Sequence, residues 1–177
     1  MIRQALAAVL TLCPLGALAQ NTTPERITEG FGAWEVRCQR SAPADPASLL
    51  ACEVVQATSV QGQQQPVSQI AIGRKTLGEE LTAVIQLPLG MWLPSGAVLD
   101  LGAAGGQHAI PILRCLPGGC VGEVPLDETM RAALSDEAIT DSALQFEMTA
   151  GTPARVPVVH QGFSAAIASL EARLAAQ

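Results

Sequence analysis

The chain carries five cysteines and two histidines, and a nucleophile, a redox couple or a metal site would have to be built from these. Cys13 sits in an apolar N-terminal run, while Cys38, Cys52, Cys115 and Cys120 form an even set farther along. In an oxidising compartment an even set reads as two bridges, with three connectivities open to it. Spacing favours the local pairing. Cys38 and Cys52 flank a polar, Pro-containing segment, Arg40 to Ser48, of the kind that joins two adjacent strands. Closing a loop of roughly 15 residues stabilises a fold by about 3 kcal/mol in the chain-entropy model. Cys115 and Cys120 enclose Leu116-Pro117-Gly118-Gly119, where Pro presets one turn dihedral and the glycines accept positive φ, so the chain can reverse tightly. Neither pair has the C-x-x-C spacing of a thioredoxin-type site at a helix N-terminus. A zinc centre would have to enlist His108 and His160, which stand alone and lack paired ligand spacing. The cysteines therefore read as structural, and no metal or cofactor is expected.

Other chemistry fares no better. Ser, His and Asp are all present, but no G-x-S-x-G elbow occurs, so a hydrolase would have to be assembled from scattered residues. His108 follows the Gly105-Gly106 turn and His160 ends a candidate edge strand, positions typical of solvent-facing or hydrogen-bonded loop histidines. Asp127 and Glu128 could pair as acid and base, yet an N-cap and a first-turn acid already have a structural reason to be acidic. No Gly-rich stretch opens a helix in the manner of a phosphate loop.

The elements that would position these residues are mostly strands. Trp34, Val36 and Cys38 alternate with Ala33, Glu35 and Arg37, the period of a strand with one buried face. Leu81 to Leu87 and Leu144 to Thr149 repeat the pattern, the latter with Leu144, Phe146 and Met148 on one side. Less regular strands are expected over Cys52 to Ala57, Val67 to Ile72, Ala97 to Leu101, Ala109 to Cys115, Cys120 to Val124 and Arg155 to Val159. The last carries Pro157 and reads as an edge. Two segments break the rule: Asp127 predicts an N-cap for a short helix to about Ser135 with Met130, Ala133 and Leu134 inward. Phe163, Ile167, Leu170 and Leu174 recur at helical spacing, so a terminal helix should pack on a sheet. About eight or nine short strands predict a mainly β fold, a single antiparallel β-sandwich or barrel-like domain with a short helix near 127–135 and a C-terminal helix.

Composition narrows the partners. The 177 residues are 49% hydrophobic but 3% aromatic, so the core must be aliphatic. The net charge is −6 and no run of Lys or Arg appears, which argues against nucleic acid and anionic lipid as partners, since both draw on clustered positive charge. At the N-terminus, Arg3, the apolar run Ala5 to Cys13 and Ala17-Leu18-Ala19 fit a signal peptide cleaved after Ala19. That run is too short to span a bilayer, and no later stretch is long and apolar enough. Residues 1–19 are therefore expected as a signal peptide, 20–30 as an N-terminal extension and 31–177 as the β domain.

Phe31-x-x-Trp34-x-Val36-x-Cys38, Cys52 a short loop later, Leu87-Pro88-Leu89-Gly90 followed by Gly96 and Asp100, Cys115 with Gly119-Cys120, and Gly162-Phe163 before the last helix together resemble the invasion-associated locus B family. The resemblance runs from Phe31 to Leu174. It implies a small exported bacterial protein with a β-rich domain, named for a member associated with entry of a pathogen into host red cells. It implies no reaction.

One segment stands out as a candidate interface. Leu87-Pro88-Leu89-Gly90-Met91-Trp92-Leu93-Pro94 is uncharged and bounded by prolines, so it cannot be a regular central strand throughout. Exposed, Met91, Trp92 and Leu93 would form the adaptable apolar patch of a protein interface; buried, they would plug one end of the core, and burial is the favoured reading. The expected function is that of a non-enzymatic, disulfide-stabilised protein, periplasmic or secreted, acting on another envelope or host protein. A carrier of a small apolar ligand and an unrecognised hydrolase using His108 or His160 are the alternatives.

Overall fold

The computed structural model describes residues 26–40, 50–62, 65–76 and 78–176. The expected signal peptide, its cleavage point after Ala19 and most of the segment between Cys38 and Cys52 lie outside the described residues. Eleven strands occur among those described: β1 (Arg26–Phe31), β2 (Trp34–Arg40), β3 (Leu50–Thr58), β4 (Ser68–Gly73), β5 (Thr82–Leu87), β6 (Ala97–Asp100), β7 (Gln107–Ile110), β8 (Ile112–Leu116), β9 (Gly119–Pro125), β10 (Ala143–Thr149) and β11 (Thr152–Pro157). They form two antiparallel sheets, one ordered β1-β2-β3-β4-β5-β9-β8 and one ordered β11-β10-β6-β7. β1 and β8 end the larger sheet as separate edges, so no closed barrel forms and the barrel-like alternative falls.

Period-two burial builds the core. Trp34, Val36 and Cys38 of β2, Cys52 and Val54 of β3, Ile70 and Ile72 of β4, and Ala83, Ile85 and Leu87 of β5 are buried on one face of the larger sheet. The smaller sheet contributes Ala97, Leu99, Leu144 and Phe146 to the same cluster. Each fully buried Leu or Ile stabilises by about 1.5–3 kcal/mol relative to its exposed state. Helices close the interior. α1 (Gly102–Gly105) is a single turn, α2 (Glu128–Ser135) and α3 (Phe163–Ala175) follow, and α3 packs on β1, β2 and β3. Asp127 caps α2 by accepting a hydrogen bond from the Met130 N–H at 2.7 Å, and Met130, Ala133 and Leu134 are buried. In α3 Phe163, Ile167 and Leu170 are buried while Leu174 packs at the margin.

Three departures from the expected elements have physical causes. The run Ala109 to Cys115 is two strands, because Pro111 offers no N–H to a ladder and the chain there leaves the smaller sheet for the edge of the larger. Gly122 makes that crossing possible: a Cβ on it would stand 2.4 Å from Ile110 Cγ2. Residues 26–30, expected within an N-terminal extension, join Phe31 in β1, whose register with β2 runs from Arg26 opposite Gln39 to Phe31 opposite Trp34. Met148, expected inward, is 38% exposed, because the register of β10 with β11 shifts between Glu147 and Thr149.

Candidate functional site

Cys38 and Cys52 face each other across β2 and β3 and are bonded, as are Cys115 and Cys120 across β8 and β9. Both bridges tie adjacent antiparallel strands, so their sulfurs are held out of thiol chemistry. Among the described residues no group of three or more His, Cys, Asp or Glu side chains could hold a metal ion.

The histidines do not converge. His108 Nε2 lies 2.9 Å from the Gly105 carbonyl oxygen, and His160 Nδ1 lies 3.0 Å from that of Asp136. His160 is buried, contrary to the solvent-facing reading, though hydrogen-bonded as the other reading has it. Its Nε2 and the buried Ser142 Oγ each have no hydrogen-bond partner among the described residues, so they form no nucleophile–base pair. The chain around His160 is instead a structural corner. Trp34 Nε1 and Gln56 Nε2 each donate to the Val159 carbonyl at 2.7 Å, and the Val159 N–H donates to Gln56 Oε1. Gly162 then brings α3 against the β1–β2 turn. A Cβ there would meet the Phe31 carbonyl oxygen at 2.0 Å, and its φ of +88° belongs to glycine. Phe163 stacks edge-on against Trp34 with centroids 5.1 Å apart.

Gln56 and Asp100 have roles that residue types alone did not reveal. Asp100 accepts hydrogen bonds from the Gly102 N–H and from the amides of Gln107 and Gln145, binding α1, β7 and β10 to the end of β6. The signal for Gln56 was a polar residue in phase with the buried face of β3. Between α2 and α3, Arg131 holds Glu171 through two hydrogen bonds of 2.6 and 2.9 Å. That pairing lowers the Glu171 carboxyl below its ordinary range and raises the guanidinium.

The candidate interface divides. Met91 is buried, while Trp92 is 43% and Leu93 49% exposed, so the expectation that all three plug the core holds for Met91 alone. The backbone explains the split. The Trp92 N–H donates to the Glu147 carbonyl at 2.7 Å, and Ser95 Oγ donates back to the Trp92 carbonyl at 2.9 Å across the 3-10 turn Leu93–Ser95. These bonds fix the main chain against β10 and direct the side chains of Trp92 and Leu93 away from the core. Leu89, 52% exposed, precedes them, and Met148 is the neighbour of Glu147. A surface hollow of about 470 Å³ adjoins this end, where Val98, Gln145 and Arg155 form one cross-strand row.

Two antiparallel sheets around one core, the larger of them clamped by both disulfides, define a small β-rich domain with an apolar end. The family model for invasion associated locus B (IalB) protein matches residues 34–171, and the chain belongs to that family. It is similar to invasion protein B homologues of Brucella abortus, from strain 2308 and from biovar 1 strain 9-941. Each is 27% identical over 149 residues, 82% of this chain and 80% of the relative. The crystal structure of invasion associated protein B from Bartonella henselae superposes with a TM-score of 0.65 at 21% identity, covering 82% of this chain and 95% of that one. At that identity the likeness shows the fold. None of these descriptions names a reaction. The two disulfides and the family together are consistent with an exported, invasion-associated envelope protein.

Proposed function

We propose that this protein is exported, released by cleavage after Ala19, and acts in the periplasm or outside the cell by binding another envelope or host protein through its apolar end. The observation that carries the reading is Trp92: its main chain is hydrogen-bonded on both sides, yet its ring remains 43% exposed beside Leu89 and Leu93. A rigid, half-exposed Trp with flexible Leu and Met neighbours is the composition of an interface anchor. The alternative of an apolar-ligand carrier has less support, because both sheets and the helices contribute to one core cluster, and three hollows lined by described residues lie at the surface.

The test is site-specific photocrosslinking in intact envelopes. A photoreactive residue at Leu93 should capture one dominant partner, and Trp92→Ala should abolish capture without lowering the melting temperature. A probe at Ala165, exposed on α3, serves as the control. Equal capture from both positions, or capture indifferent to Trp92, would count against the reading.

A further inference from the structure

The cations of this acidic chain are scattered in sequence but not in space. Of its ten Lys and Arg residues, five, Arg26, Arg37, Arg40, Arg74 and Lys75, line a single hollow of about 680 Å³, and among the described residues Glu53 is the one carboxylate lining it. The topology assembles them. Arg26 comes from β1, Arg37 and Arg40 from β2, and Arg74 and Lys75 from the turn after β4, while Glu53 of β3 lies opposite Arg37 on one side and Gly73 on the other. From β1 to β4 is three strand spacings, roughly 14 Å, too wide for one small anion to touch both sides.

The charge left for a ligand is that of Arg26 and Arg74, since Arg40 has a partner of its own. Arg37 pairs with Glu35 and Lys75 with Glu123, Arg26 donates to the neutral amide of Gln39, and Arg74 acts electrostatically on Glu171. The floor is short and uncharged at Ala51, Ala71 and Val84, leaving room for the body of a ligand between the guanidinium groups. Burial pushes the Glu53 carboxyl up, with Arg37 opposing the rise and Glu35 adding to it. The hollow also stands apart from the apolar end. Along β5 it takes in Thr82 and Val84, whereas Leu89 lies beyond the opposite terminus of that strand.

We infer that this hollow binds a small organic polyanion bearing two or more separated phosphate groups, gripped by arginines from both sides. Arginine suits the task because its planar fork bonds phosphate oxygens two at a time. Such phosphates can belong to a free metabolite or to a lipid headgroup. The acidic net charge excludes neither, since binding answers to the local field within a Debye length of about 10 Å at ordinary salt.

The experiment is calorimetric titration of the purified protein with inositol hexakisphosphate, alongside flotation with phosphatidylcholine vesicles with and without cardiolipin. Saturable binding of the soluble probe is expected. Arg26→Gln combined with Arg74→Gln should weaken it at least about tenfold, and Glu53→Gln should tighten it about threefold by removing a like charge. Arg114→Gln with Arg155→Gln, which lie outside the hollow, should leave it unchanged. Binding to cardiolipin vesicles with the same variant pattern assigns the phosphates to a headgroup, and soluble binding alone assigns them to a free ligand. Binding to neither probe, or equal weakening by the Arg114 and Arg155 changes, overturns the inference. Circular dichroism melts of each variant separate lost binding from lost fold.

Discussion

Trp34 and Trp92 share a side-chain type and almost nothing else. Trp34 is 1% exposed, donates its indole N–H to the Val159 carbonyl and meets Phe163 edge-on, so it joins the sheet, the 158–162 corner and α3. Trp92 contributes its backbone to the fold and leaves its ring 43% exposed. Trp34→Ala should therefore cost about 3–5 kcal/mol, the range for deleting a buried aromatic, while Trp92→Ala should stay within about 1 kcal/mol. Chemical denaturation of both variants, read at constant slope, checks the order; equal losses would mean that the ring of Trp92 is packed after all. The alternation around Trp34 made its burial readable from sequence. Nothing comparable was available for Trp92, because its exposure depends on a hydrogen bond to Glu147, a residue far along the chain. The same limit explains the arginine hollow: no local run of charge announces residues that only strand pairing brings together.

Strands with one apolar face, the Asp127-capped helix and the terminal helix were all legible, since period and capping are local signals. The exchange between sheets at Pro111 was not. An apolar run with a proline in it looks the same whether it is one kinked strand or two strands in different layers. The disulfides sit between these cases: spacing favoured the local pairs, and the β2–β3 and β8–β9 registers place each pair directly opposite. Their energetic weights should differ with loop length. Replacing Cys38 and Cys52 together by Ala should cost about 3 kcal/mol, and replacing Cys115 and Cys120 together about 2 kcal/mol, because the second closes a shorter loop. Reversible urea unfolding of the two double variants measures both. A larger loss at the β8–β9 hairpin would show that its bridge guards the edge of the sheet beyond the entropy of closure.

At the scale of the whole molecule, the question is whether two sheets amount to one cooperative unit. Leu99 of the smaller sheet and Ile85 of the larger are both fully buried, and they belong to a single cluster that also takes in α2 and α3. The chain crosses between layers at Pro111, and again from β5 to β6 and from β9 to β10 with helical turns between, so neither sheet is a contiguous stretch that could fold alone. Leu99→Ala and Ile85→Ala should each cost about 2–5 kcal/mol, and each should lower the melting temperature by several degrees, at about 2–4 °C per kcal/mol for a chain of this size. The decisive outcome is shape: both variants should keep one transition, coincident by far-ultraviolet circular dichroism and by Trp fluorescence. Fluorescence reports chiefly on Trp34, in the larger sheet. If Leu99→Ala split the melt, with ellipticity lost before the Trp34 signal moved, the smaller sheet would be an independently yielding layer. The apolar end beside β10 would then ride on a mobile support, and its rigidity as an anchor would have to come from a bound partner.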